Sequence, residues 1–115
     1  MIFFSDMDGT FLRSTGEISP ATWATLDELA ARDIEFVPCT GRSLSGLRKD
    51  LLNHPAVHYA VSSGGCSIVR LYEDGPMDFK KATVIVGESL SRETANRIWH
   101  FVENRDMTFE ALAGG

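Results

Sequence analysis

Short apolar runs that break abruptly into small polar or charged residues recur along the first half of the chain. Met1 to Phe4 reads as a buried strand of the parallel-sheet kind, and it gives way to Ser5-Asp6-Met7-Asp8-Gly9-Thr10. The mixed segment from Phe11 to Ile18 is read either as a small hairpin or flap or as a connecting loop. Ser19-Pro20 marks a helix start, a hydroxyl cap followed by a proline whose missing N–H is harmless in the first turn. That helix is predicted from Pro20 to about Arg32, with Trp23, Leu26, Leu29 and Ala30 on one face and Asp27, Glu28 and Arg32 mostly on the other. Ile34 to Pro38 is a second strand, ending in Cys39-Thr40-Gly41-Arg42-Ser43. A strand–helix–strand unit of this size implies a right-handed parallel crossover, which opens both strand ends onto one edge of the sheet.

A second helix is predicted over Leu44 to Leu52, with Ser43 or Ser45 as cap and Leu44, Leu47, Leu51 and Leu52 inward. Gly46 weakens it by roughly 1 kcal/mol relative to alanine, and Asn53-His54-Pro55 ends it. His54 and His58 are read as surface or strand-edge residues. Tyr59 to Val61 is a third short strand breaking into Ser62-Ser63-Gly64-Gly65. Cys66 to Tyr72 and Asp78 to Val86 then read as an antiparallel hairpin around the turn Glu73-Asp74-Gly75-Pro76. Glu88 to Asn104 is an amphipathic helix capped by Ser89 or Ser91, its wide apolar face made of Leu90, Ala95, Ile98, Trp99, Phe101 and Val102. Met107 to Leu112 is a last strand candidate. Alternating strands and helices place the chain in the α/β class.

The chemistry gathers where the strands end. Asp6 and Asp8, at the end of a buried strand, cost desolvation and repel one another unless a cation or proton lies between them. A hard divalent cation such as Mg2+ relieves both penalties and prefers oxygen ligands, and in open α/β sheets ligands bind at the carboxyl ends of the strands. On the second strand end, Thr40 offers a hydroxyl donor, Gly41 admits close backbone approach, and Arg42 can grip an oxyanion with two parallel bonds. The same residues also suffice for an ordinary strand-to-helix turn, a reading that the proximity of Asp6 and Asp8 makes less attractive.

With 115 residues the chain can bury one modest core. The hydrophobic fraction of 43% is that of an ordered globular protein. Sixteen acids against eleven bases give a net charge of -5, which disfavours nucleic acid or an anionic membrane as partner. No apolar run reaches the roughly 18 residues that a membrane span needs, and the strand beginning at Met1 leaves no room for a leader, so a cytoplasmic location is expected. Cys39 and Cys66 match no metal or redox spacing and are expected to be small buried thiols.

Asp-x-Asp-Gly-Thr after an N-terminal strand, Thr40-Gly41-Arg42 after the second, and Gly64-Gly65 after the third resemble the haloacid dehalogenase (HAD) superfamily, and more narrowly its Cof-type branch of phosphatases acting on sugar phosphates and similar small metabolites. The resemblance implies a Rossmann-like parallel core and an inserted α/β cap of the C2 type. Residues 1–83 would be the N-terminal part of the core with its exit hairpin, and 84–115 the beginning of the cap. It further implies Asp6 as the nucleophile that forms an aspartyl-phosphate, Asp8 as acid and then base, and Mg2+ held by the Asp6 carboxylate and the Asp8 backbone carbonyl. Thr40 would bind phosphate with the backbone N–H groups of Met7 and Gly41, Arg42 would contact substrate, and Gly9 and Thr10 would shape the turn.

The family's lysine and its further acidic motif, Gly-Asp-x-x-x-Asp in form, have no counterpart here. Lys80, Lys81 and Asp106 stand in the wrong context, and Ser63 replaces an asparagine common in the branch. The expectation is therefore an N-terminal fragment of a phosphatase, poorly active or inactive alone, with no oligomeric state implied. Two alternatives stay open: a complete, non-catalytic HAD-like binding or interaction module, and a phosphomutase.

Overall fold

The structure, a computed structural model, describes residues 1–72 and 81–111. Five strands form one sheet in the order β1-β2-β3-β4-β5: β1 (Ile2–Asp6), β2 (Glu35–Cys39), β3 (Tyr59–Ser62), β4 (Ser67–Arg70) and β5 (Thr83–Gly87). β1, β2 and β3 run parallel, whereas β4 and β5 each pair antiparallel to the preceding strand. The sheet is thus mixed, and its parallel part is the Rossmann-like core. The antiparallel pairing of β4 with β5 matches the expected hairpin. The predicted turn Glu73 to Pro76 and the start of the run at Asp78 lie outside the described residues.

β2 lies in the interior of the sheet, between β1 and β3, and is buried on both faces through Phe36, Val37 and Pro38, as a parallel interior strand requires. β1 differs from expectation. It was predicted buried, yet Ile2, Phe3 and Phe4 are 58%, 54% and 61% exposed. The reason is position: β1 is the terminal strand of the sheet and pairs only with β2 among the described residues.

Helix α1 (Pro20–Ala31) begins as the sequence predicts, with the Ser19 hydroxyl accepting from the Thr22 N–H. It ends in a Schellman arrangement, the N–H groups of Ile34 and Asp33 reaching the carbonyls of Leu29 and Ala30. Asp33 takes the left-handed conformation there, with φ of 53°. Leu26 is fully buried, while Trp23, Leu29 and Ala30 pack half-buried against the core.

The predicted helix over Leu44–Leu52 is broken in two. A 3-10 turn spans Leu44–Gly46, Leu47 is extended with ψ of 152°, and α2 covers only Lys49–Leu52. Gly46 and the extended Leu47 divide it, and the four leucines still reach the core from the two short pieces. Ser43 makes no side-chain cap bond and instead shares a hydrogen bond with Ser45.

His54 is a further correction. It is 9% exposed, not a surface residue: its Nδ1 accepts from the Ala56 N–H and its Nε2 faces Asp27 Oδ1 at 3.2 Å. Trp23 on α1 stacks nearby, its ring 5.8 Å from the imidazole. His58 lies at the strand edge as expected, bound to Glu35 Oε2 at 2.8 Å.

Helix α3 (Arg92–Val102) is shorter than predicted, capped by Ser91. Its apolar face exists as a pattern but buries no residue: Trp99 and Phe101 are exposed, Ile98 and Val102 half-buried. Residues 107–111 are irregular and not the expected strand, and Leu112 falls outside the described residues. Among the described residues, every buried residue of the core lies between Met7 and Leu71.

Candidate active site

Register builds the site. Parallel pairing sets Asp6 against Cys39 and Cys39 against Val61, so the ends of β1, β2 and β3 open side by side at one edge, where an open α/β sheet binds its ligands. The turn after β1 is tied to Met7, whose side chain is 1% exposed in the core. Its carbonyl accepts from the N–H groups of Thr10, Phe11 and Leu12 at 3.4, 3.1 and 2.8 Å. The Met7 side chain is committed to packing in the core. Gly9, at φ of 78°, supplies the left-handed step that reverses the chain. Beyond it, the segment after Leu12 closes as a tight turn, Arg13 N–H donating to the Glu17 carbonyl at 2.9 Å.

This turn separates the two acids. Asp6 Oδ2 accepts from the Thr10 hydroxyl at 3.0 Å. Asp8 faces the second strand end, where Arg42 Nε donates to Oδ2 at 2.9 Å and Nη2 to Oδ1 at 2.6 Å. The Arg42 fork, expected to contact substrate, here lies on Asp8. Both partners are about half exposed, the range in which ion pairs are weak.

Thr40 is 6% exposed. Its Oγ1 accepts from the Arg42 N–H at 3.1 Å, which leaves the hydroxyl proton free to donate outward. Its own N–H donates to the Val61 carbonyl at 2.9 Å. Gly41 is exposed, and a Cβ added there would meet nothing within 4 Å, so the backbone is open to approach.

The third strand end, which the sequence also places at this edge, contributes two backbone donors. The N–H of Gly64 donates to the Thr40 carbonyl at 3.1 Å, and the N–H of Ser63 to the Arg42 carbonyl at 2.8 Å. The turn after β3 therefore holds the turn after β2 in place. Both residues are left-handed, with φ of 65° for Gly64 and 52° for Ser63. The paired glycines were the only signal of such a turn in the sequence, and nothing in it named the amides' partners.

Cys39 lies half-buried beside Asp6, and burial first, the Asp6 charge second, push its thiol up from the ordinary range. Cys66 is exposed, contrary to expectation, because it sits in the turn between β3 and β4; both thiols are free. Among the described residues no group of three His, Cys, Asp or Glu side chains converges, and no helix is long and apolar enough to cross a membrane. A cavity of about 270 Å3 lined by Arg13, Glu17, Ile18, Ser19, Pro20 and Arg48 includes neither acid in its wall.

Solved structures share this architecture. A protein of Streptococcus mutans UA159 is 25% identical with a TM-score of 0.69, over 91% of this chain and 36% of its own. A haloacid dehalogenase-like hydrolase from B. subtilis is 22% identical with a TM-score of 0.65, over 89% and 33%. A sugar phosphatase of HAD subclass IIB is 20% identical with a TM-score of 0.69, over 89% and 36%. The chain thus spans about a third of the length of the solved structures it matches. No curated protein matches the sequence. The match to the haloacid dehalogenase-like hydrolases runs through residues 3–113, from β1 past the end of α3, and on that match the chain belongs to the haloacid dehalogenase-like hydrolase family.

Proposed function

We propose that this chain carries the nucleophile-bearing part of a Mg2+-dependent phosphatase site acting on small phosphorylated metabolites, sugar phosphates among them. The observation that carries the reading is the placement of two carboxylates, one residue apart, at the turn after β1, Asp6 bound by Thr10 and Asp8 by Arg42 of the Thr40–Gly41–Arg42 turn. Membership of a hydrolase family and likeness to a sugar phosphatase support it.

In this reading an Asp6 oxygen attacks phosphorus in line, the P–O bond to the leaving group breaks, and an aspartyl-phosphate forms. Asp8 gives the departing alkoxide its proton, then takes one from the water that hydrolyses the acyl phosphate. The Thr40 hydroxyl and the N–H groups of Met7 and Gly41 hold the phosphoryl oxygens, and these fixed donors cost no reorganisation when charge develops. Thr10 fixes the rotamer of Asp6 through its bond to Oδ2.

The donors present fit Mg2+, since the Asp6 carboxylate and the Asp8 backbone carbonyl are hard oxygens. Such an ion commonly takes one or two carboxylates and completes its shell with water and substrate phosphate. When bound it neutralises charge between the anionic nucleophile and the phosphate. In this reading residues 1–83 belong to the core and 84–115 to the start of a cap, a boundary that falls within β5, which pairs with β4 in the sheet; the absence of any buried residue in α3 supports placing that helix in the cap.

The test is phosphate release from an aryl phosphate and a sugar-phosphate panel, with and without Mg2+. Asp6→Asn should lower release on the order of a thousandfold or more and abolish a hydroxylamine-labile phosphoprotein. Release that persists in Asp6→Asn, or release without a labile phosphoprotein, would overturn the reading.

A further inference from the structure

Arg42 is built so that its side chain can move while its backbone cannot. Its N–H is bound to Thr40 Oγ1 at 3.1 Å and its carbonyl to the Ser63 N–H at 2.8 Å, whereas the guanidinium reaches out to a carboxylate 34 residues away in sequence. Both oxygens of Asp8 are taken, by Nε at 2.9 Å and Nη2 at 2.6 Å. In that arrangement Arg42 directs its Nε–Nη2 fork, a shape that also matches a phosphate, onto Asp8.

The two side chains are each 51% exposed, and an exposed pair of this kind is worth no more than about a factor of five in an equilibrium constant. A phosphate dianion offers the same fork geometry with more charge than one carboxylate. The exchange of partners is therefore within reach of ordinary ligand binding.

We propose that Arg42 is a positioning residue that clamps Asp8 when no ligand is present and transfers its fork to the phosphate group of an arriving ligand, which unclamps Asp8. Asp8 and the phosphate compete for the same Nε–Nη2 fork, so its transfer to phosphate and the release of Asp8 are the same event. This deepens the phosphatase reading and rests on it for the ligand class alone.

The experiment measures the affinity of inorganic phosphate, without metal, for the chain and for Asp8→Ala, Arg42→Gln and the double variant. Asp8→Ala should tighten phosphate binding by up to about fivefold when Arg42 is present, the most such a pair is worth, and by a clearly smaller factor in the Arg42→Gln background. Arg42→Lys keeps the charge but cannot span two oxygens, and should not restore the coupling. In the unsubstituted chain, the Arg42 Nε–H resonance should shift on phosphate titration, which needs no variant to fold.

Equal tightening in both backgrounds would show that Asp8 merely repels phosphate, and would overturn the proposal. So would a phosphate-independent Arg42 resonance, or no phosphate binding by any of the four proteins. Coupling without any phosphate release would retain this exchange and remove the catalytic reading. Asp6-dependent release with additive binding effects would do the reverse.

Discussion

Thr10 and Arg42 divide the two acids between them. Asp6 is held by a neutral hydroxyl and Asp8 by a cation, so carboxylates one residue apart sit in unlike surroundings, as two groups with different tasks need. The positions of the acids, Thr40 and Gly41 were legible in the sequence because each lies at or within two residues of a strand end, and strand ends are local features. The Asp8–Arg42 fork was not, since it joins positions 34 residues apart that only register brings together. The same holds for His54 and Asp27, paired across 27 residues. Cys39 gives a check at this scale. Its thiol is half-buried and pushed upward by burial and by Asp6, so less thiolate is present at neutral pH than for an ordinary cysteine. Iodoacetamide near neutral pH should alkylate Cys66 about tenfold faster than Cys39, read by peptide mass spectrometry. Alkylation of Cys39 should accelerate only above the usual thiol range. Equal rates at neutral pH would contradict the placement of Cys39.

Element boundaries followed caps closely where caps exist. Ser19-Pro20 and Ser91 start α1 and α3 as hydroxyl caps should. The break at Gly46 was the kind of event that propensity underweights: a cost of about 1 kcal/mol is enough to divide a helix whose leucines can reach the core from two short turns instead. The end of α1 offers a prediction. Asp33 occupies the left-handed position of the Schellman turn, where a side chain costs roughly 1–2 kcal/mol and glycine costs none sterically. After the entropy that glycine loses on folding, Asp33→Gly should stabilise the chain by about 0.5–1 kcal/mol, seen as a higher thermal midpoint. A lower midpoint would mean that Asp33 makes a compensating contact. The apolar stripe on α3 shows the other side of the matter. Periodicity identified the face, but it carries no information about what the face packs against.

At the scale of the whole molecule, the core is concentrated around β2 and thins toward both ends of the sheet. The Cα radius of gyration is 16.3 Å, against about 13 Å for a compact chain of this length. Ile2, Phe3 and Phe4 at one end and Val84, Ile85 and Val86 at the other are all at least 40% exposed. A terminal strand with free hydrogen-bonding groups and apolar side chains is a template for pairing. The 115-residue chain should therefore self-associate in a concentration-dependent way, and Phe4→Lys should reduce this, as charge on an edge strand does. Sedimentation velocity over the micromolar range is the measurement. A strictly monomeric chain at about 100 μM, where exposed edges associate readily, would refute it. The fold class was legible because strand, helix and strand alternate in plain view. The exposure of β1 was not, because a run such as Ile2-Phe3-Phe4 looks the same in the middle of a sheet and at its end.

The amide contacts from Ser63 and Gly64 to the turn after β2 bear on how this edge can vary among homologues. They are made by backbone, so the side chains at 63 and 64 are chemically unread: a substitution leaves the contact intact provided the residue tolerates a left-handed φ, as glycine, asparagine and aspartate do. Proline, with no N–H to give, is the residue that breaks it outright. The geometry that seats Thr40 and Arg42 can thus persist while the letters around it drift, and alignment by sequence would be a poor guide to where it is kept.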